Sequence, residues 1–284
     1  MFEKAMFSSS RHLRRSVTAH AVLMFFSAIA LAPVVLIVMN AFKSRQAIFK
    51  SPMALPTPAT FDLIGFTSVL GEGHFGTYFT NSLVVTLGAL AGTILFGAMA
   101  AFALSEYRFR FNGAIGIFLT VGIMVPIRLG TVGILEMMVN AGLVNTRTAL
   151  VLVYTAQSLP MAIFILTEFM RTVSADLKNA GRVDGLSEYE IFAWLVLPLL
   201  RPPIVTVAVF TMMPIWNDLW FPLILAPGEE TKTLTLGAQV FIGQYVTDWN
   251  SVLAALSMSI LPILALYLVF SKGLIRGITA GAVK

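Results

Sequence analysis

Residues 179–203 read NAGRVDGLSEYEIFAWLVLPLLRPP. The stretch opens polar, carries a glycine among charges of both signs, and lies between two long apolar runs. Just upstream, Ser174 suits a helix N-cap, and Asp176 falls in the first turn, where the helix dipole favours an acid. That helix ends near Asp184–Gly185, because Gly185 can take the left-handed conformation that closes a helix. Ser187 with Glu190 three residues later is a capping box, and apolar Ile191, Phe192, Leu195 and Val196 follow it. Pro198 perturbs or ends this second helix, since it lacks an N–H and crowds the preceding turn. Pro202 and Pro203 suit the first turn of the next. The segment therefore predicts helix, sharp turn, helix. A plain connector needs no pair of capped helices. Two readings stay open: a rigid knob that docks into a soluble partner, or an interfacial amphipathic helix beneath a bundle.

The flanks define the bundle. Of 284 residues, 57% are hydrophobic and 12% charged, against about 45–50% and about 25% in soluble domains. Ala21 to Phe42, Phe75 to Ser105 and Trp249 to Ser271 carry no charge, and a spanning helix needs about 20 such residues. Windows at 20–42, 78–104, 112–135, 148–167, 203–226 and 251–271 predict an all-α membrane protein with six transmembrane helices. Arg128 and Glu136 limit the third window, and Asn217 with Asp218 interrupts the fifth. The first window is long and late for a cleaved signal and reads as a retained helix.

Six spans place both termini on one side. With the N-terminus inside, the inner segments hold Lys4, Arg11, Arg14, Arg15, Arg108, Arg110, Arg171, Lys178, Arg182, Arg201, Lys272, Arg276 and Lys284, 13 of the 19 basic residues. Lys43, Arg45, Lys50, Arg128, Arg147 and Lys232 fall outside. The positive-inside rule then selects N-in/C-in. This divides the chain into a cytoplasmic tail (1–19), a transmembrane domain (20–276, with the polar loop at about 171–202) and a second cytoplasmic tail (277–284).

Several chemistries are excluded. There is no cysteine, so disulfides and thiol sites are absent. His12, His20 and His74 show no metal-ligand spacing. No basic face with interleaved aromatics points to nucleic acid. No paired carboxylates or nucleophile–base set suggests a catalytic residue. No G-x-x-x-x-G-K-[ST] run is present to cradle ATP phosphates. Gly88 and Gly92 read as helix packing. Tyr154, Thr155, Gln157 and Ser158 precede Pro160, and could line a path or serve the backbone carbonyl that the proline leaves free. Asn217 and Asp218 could be functional polar groups in a membrane, or a polar break between the interfacial aromatics Trp216 and Trp220.

AGRVDGLSEYEIFAWLVLPLLRP resembles the EAA loop of binding-protein-dependent ABC importer permeases. Ala180, Asp184, Gly185, Ser187, Phe192, Leu197, Pro198, Leu199 and Pro202 match that motif. Asn179 replaces its glutamate, Gly181 its second alanine and Leu186 a common alanine, which puts a salt bridge from that glutamate in doubt. TNSLVVTLGA, AFALSEYRF, GLVNTRTALVLVY, WNDLWFPLIL and the terminal GITAGAVK are similar to the second permease subunit of carbohydrate importers of the maltose type. The resemblance implies that residues 178–190 are a coupling helix seated on a cytoplasmic ATPase. Asp184 and Gly185 would shape its turn, Ala180 and Gly181 would keep the docking face thin, and Arg182, Ser187 and Glu188 would meet the partner. Glu190, Phe192 and Pro198 would support the loop. Gly281 and Lys284 in the tail would reach the ATPase interface, and the loop at about 227–249 would face the binding protein.

The implied partners are a second homologous permease, two ATPase copies, a periplasmic or extracellular sugar-binding protein and the lipid bilayer. ATP and magnesium would sit on the ATPase, with no cofactor on this chain. The implied setting is a bacterial inner membrane and the substrate a di- or oligosaccharide or a polyol. Gln157, Asn217 and Asp218 are the candidates for the translocation path. A gradient-driven secondary transporter and a scaffold are the alternatives. The first would show buried midplane charges, and the second would not need the Gly185 turn.

Overall fold

The computed structural model describes residues 2–71, 74–241 and 247–282. The chain is 79% helical. An isolated β-bridge pairs Lys43 with Phe61. In chain order the helices are α1 (Phe2–Ala41), α2 (Arg45–Lys50), α3 (Ile64–Gly71), α4 (Phe75–Glu106), α5 (Asn112–Met124), α6 (Thr131–Asn140), α7 (Arg147–Met170), α8 (Ala175–Val183) and α9 (Glu188–Glu190). They continue as α10 (Leu197–Leu199), α11 (Arg201–Asn217), α12 (Trp220–Leu225), α13 (Leu234–Gly237) and α14 (Trp249–Ala282).

Three described stretches are long and apolar enough to cross a bilayer unbroken: Ser16–Ala41, Phe75–Glu106 and Arg147–Met170. Two more qualify only as bent pairs. The third window is one of these. Asn112–Met124 and Ile127–Asn140 meet at 90°, because Pro126 pushes Val125 into extended backbone (φ −79°, ψ 120°). The fifth window also breaks. Its helix ends at Asn217, Asp218 is extended (ψ 137°), and α12 restarts at Trp220. The break in the fifth window falls at Asp218, where the sequence placed the interruption, and the third window bends at Pro126, ahead of Arg128. The sixth window lies inside the longer helix α14, and the first runs one residue past the end of α1 at Ala41. Helix α1 also covers much of the stretch read as a terminal tail.

The chain divides into two compact units, residues 1–73 with 241–258, and residues 74–240 with 259–284. In the first unit Lys43 is 1% exposed. Its ammonium donates to Asn40 Oδ1 and the Ser51 carbonyl at 3.0 Å each and to the Pro52 carbonyl at 3.3 Å. Its own carbonyl accepts from Asn250 Nδ2 at 2.7 Å. Burial pushes its pKa below the usual lysine value. Lys43 is thus a structural tie rather than a free surface charge. Lys43→Ala would strand buried acceptors, at about 1–3 kcal/mol for each group left unsatisfied. A detergent thermal scan should show Tm lower by about 5 °C or more.

In the second unit α4 and α7 lie side by side. Gly88 faces Val151 and Gly92 faces Thr155, where an added Cβ would sit 2.9 Å from Thr155 Oγ1. Small residues let helices in lipid approach closely, which is what drives packing where water exclusion does not. Towards the later part of α4 one core joins Ala98, Ala101 and Phe102 to Ala162, Leu166 and Met170 of α7. Ile191, Val196, Leu200 and Val207 complete it. The polar segment is therefore rooted in the same core as the two longest helices of this unit.

Candidate functional site

The segment after α7 folds from local signals. Ser174 Oγ accepts from Asp176 N at 3.1 Å and caps α8. Helix α8 closes in a Schellman turn: Leu186 N donates to Gly181 O at 3.0 Å and Gly185 N to Arg182 O at 3.2 Å. Gly185 has φ +85°, the left-handed region open to glycine. The next helix opens with a complete capping box, in which Glu190 N donates to Ser187 Oγ at 3.3 Å and Ser187 N to Glu190 Oε2 at 2.8 Å. Ile191–Val196 then run as a π-helix ahead of Pro198, a wide turn frequent at functional sites. Helix Arg201–Asn217 leaves at 75° to Glu188–Leu199. Phe192 packs on Phe102 with ring centroids 5.3 Å apart.

Lys178, Arg182 and Glu188 of this knob are paired within the chain. Glu106, at the end of α4, accepts from Lys178 and from Arg182 Nη2, the latter at 2.6 Å. Arg182 Nε donates to Glu188 Oε1 at 2.7 Å and Nη1 to Asn179 Oδ1 at 2.9 Å. Tyr107 Oη donates to Glu188 Oε2 at 3.0 Å. Glu106 and Lys178 side chains are only 12% exposed. Hydrogen bonds from Arg182 hold the Glu188 carboxyl below its usual range, against the opposing effect of burial.

Two expectations change. Arg182 and Glu188, read as contacts for a partner, are paired to each other and to α4. Gly181, read as thinning the docking face, is buried, and an added Cβ there would meet Leu195 Cδ1 at 2.8 Å. Its small size serves packing under the knob. Ala180, Asp184, Gly185 and Ser187 are each exposed. With them stand Val183 and Tyr189, 87% and 83% exposed, which sequence reasoning passed over. Glu106 was missed as well: its partners lie over 70 residues away, and only its place in the quoted AFALSEYRF hinted at it. Of the tail positions, Gly281 falls in the last turn of α14, and Lys284 lies outside the described residues.

A second cluster forms where the two broken spans meet. Asp218 Oδ1 accepts from Arg128 Nη2 at 3.3 Å, and Oδ2 accepts from Tyr154 Oη at 2.8 Å. Asp218 also caps α12, accepting from Trp220 N at 3.3 Å and Phe221 N at 3.1 Å. A cavity of about 670 Å³ opens beside it, with Gln157, Ser158 and Arg128 among its lining. An adjoining one of about 200 Å³ includes Asn217 and Asp218. Tyr154 and Thr155 bond Asp218 and Ala89 O, so neither serves the carbonyl freed by Pro160. Asn217 Nδ2 turns back to Met213 O at 2.9 Å.

Elsewhere the start of the loop at about 227–249 folds onto α4. Tyr78 Oη donates to Glu229 Oε2 at 2.5 Å and Asn81 Nδ2 to Glu230 O at 2.8 Å. Hydrogen bonds from Lys232 and then Tyr78 hold the Glu229 carboxyl below its usual range. Residues 242–246 of that loop lie outside the described residues.

Residues 93–280, which include both clusters, match the family model of the binding-protein-dependent transport system inner membrane component. The chain belongs to this family. As an inner membrane component it is an integral membrane protein. It is 30% identical over 276 residues to the diacetylchitobiose uptake system permease protein NgcG of Streptomyces coelicolor, covering 96% of this chain and 91% of that one. It is 31% identical over 228 residues to the melibiose/raffinose/stachyose import permease protein MelC of Bacillus subtilis, covering 80% and 83%. Its fold matches a chain of a bacterial ABC transporter involved in the import of the acidic polysaccharide alginate, with TM-score 0.78 and 21% identity over 90% of this chain and 95% of that one.

Proposed function

We propose that this inner membrane component is one of two permease halves of an ABC importer for a di- or oligosaccharide or polyol, in a bacterial inner membrane. Its relatives in sugar uptake support the substrate class. In this reading the chain crosses the membrane six times, with both termini in the cytoplasm. A binding protein delivers the sugar, and a second permease completes the path. Two ATPase subunits hold ATP and magnesium and close on hydrolysable nucleotide. The knob at residues 178–190 then travels with them, and the bundle switches between two states by differential binding.

The observation that carries this reading is the knob itself. It is capped at both helix starts, closed by a Schellman turn, rooted in the bundle core and clamped to Glu106, yet its tip exposes Val183 and Tyr189. A rigid element with a small apolar tip suits a cleft on a soluble subunit. Here Asn179 turns to Arg182, and the tip relies on shape.

The test is purification of the tagged chain from its host in mild detergent. An ATP-hydrolysing subunit and a second permease should come with the parent. The double substitution Val183→Asp with Tyr189→Asp should shed the ATPase and keep the second permease. A parent that purifies alone under several mild conditions would sink the importer reading.

A further inference from the structure

The stretch between α1 and α4 is polar inside and apolar outside. Its buried centre is Lys43, whose ammonium meets three neutral oxygens and no acid among the described residues. Its surface is oily. Met53 and Leu55 are 75% and 74% exposed, and Phe49, Phe61, Ile64 and Leu70 are each more than half exposed. A loop facing water shows the reverse, and exposed apolar side chains gathered in one short segment mark a contact. Hydrogen bonds fix where this surface lies. Asn40, in the last turn of α1, donates from Nδ2 to the Leu36 carbonyl at 2.8 Å and to the Pro52 carbonyl at 3.0 Å. The chain after α2 therefore folds back beside the last turn of α1. It returns to the same point further on, because Ser44 N donates to Thr60 O at 2.8 Å and Asp62 N to Phe42 O at 3.0 Å. Helix α3 stays close as well: a Cβ on Gly65 would sit 2.3 Å from the Asn250 carbonyl, at the start of α14. Both ends of the excursion and its turn at Pro52 are thus held level with the ends of two apolar helices.

We propose that residues 44–71 lie in the headgroup layer of the leaflet at which α1 ends, with phospholipid as the partner of their exposed apolar side chains. Lipid is already the neighbour of the stem, since residues 21–33 of α1 are exposed without exception. Trp249, the first residue of α14, is exposed and meets Phe49 edge-on with ring centroids 6.4 Å apart. Aromatic side chains gather at the level of the headgroups. Arg45 and Lys50, at the two ends of α2, are exposed and have no acid partner among the described residues. Cations beside apolar side chains suit a layer of lipid phosphates above acyl chains. Pro52, Pro56 and Pro58 carry no N–H, and Thr57 N donates to Thr60 Oγ1 at 2.8 Å. Fewer donors are then left unpaired where water is scarce. Lys43 is the internal tie that lets the segment turn its apolar side chains outward. The proposal needs only that α1 crosses the bilayer. It does not depend on the sugar, on the ATPase or on the direction of insertion, so it and the importer reading fail separately.

The chain has no cysteine, so Met53→Cys, Leu55→Cys and Leu70→Cys each give it one labelling site. Each full-length variant is purified with whatever subunits accompany it, labelled with an NBD dye and reconstituted into vesicles of phosphatidylethanolamine and phosphatidylglycerol. The cysteine-free parent, carried through the same steps, is the blank. Quenching is read with iodide in the water and with nitroxides fixed at graded depths on the lipids. The labels at positions 53 and 55 should lose most of the iodide quenching that the free dye shows. Their nitroxide quenching should peak at about 5–10 Å below the headgroup surface, the depth of an interfacial apolar face. The label at position 70 repeats the reading from the far end of the segment, so that no single variant decides it. Iodide quenching as full as that of the free dye at these positions would make the segment a water-facing loop and overturn the proposal. Protection from iodide without nitroxide quenching would place a protein over the segment, either a second permease or a binding protein, and overturn it equally.

Discussion

Glu106→Lys should cut ATP-driven sugar uptake by about 100-fold or more while the chain still reaches the membrane. Glu106 is the one acid that both Lys178 and Arg182 reach, and the Glu106 and Lys178 side chains are 12% exposed. Removing one partner of a sheltered pair costs about 3–5 kcal/mol, because the other charge is left uncompensated. Lysine adds repulsion among three cations. The bundle does not depend on this pair, since α4 and α7 are held by Gly88, Gly92 and the apolar core. The loss should therefore fall on the knob and the ATPase contact proposed for it, read by uptake together with co-purification. Glu106→Lys with Lys178→Glu restores one pair and sets the new acid four residues before Arg182 on α8, a favourable helical spacing. That double variant should recover part of the activity. No recovery, with normal membrane levels, would mean that Glu106 acts through something other than this clamp.

Gly185→Pro is expected to detach the ATPase almost completely. The turn needs φ +85° at this position, and proline is locked near −65°. Proline also deletes the N–H that donates to Arg182 O at 3.2 Å. The combined cost exceeds about 3 kcal/mol, enough to unmake the turn. Gly185→Ala keeps the N–H and costs only about 1–2 kcal/mol for a left-handed residue. The order parent, alanine, proline should appear in ATPase recovered by pull-down and in uptake. Equal recovery from all three would show that the turn is dispensable.

What could be read in advance was local. Gly185, Ser174 and the Ser187–Glu190 box act within a few residues, so their spacing suffices. What escaped was long-range or averaged away. Arg182 looked like a surface charge until Glu106, from the end of α4, arrived beside it. Gly181 looked like part of a docking face until Ile191 and Leu195 packed over it. Pro126 was visible, yet a hydropathy window sums over it, and the 90° bend there was lost in the average. Asp218 was noticed as an odd polar group, but its four donors come from α7, α12 and the segment before α6. No single stretch shows that it is saturated.

The clamp on Glu106 means that the proposed coupling element is not a cassette. It is bipartite, with one half in the loop and its counterweight at the end of α4. A chimera that grafts residues 174–203 into another scaffold would carry Lys178 and Arg182 without their acid, and a graft of α4 would carry the acid without its cations. Nor is reversion of Asn179 to the motif's glutamate a simple restoration, since it would place another acid beside a guanidinium already shared by Glu106 and Glu188. These positions can only be exchanged together, so substitutions at one site should be judged against the residue held at the other.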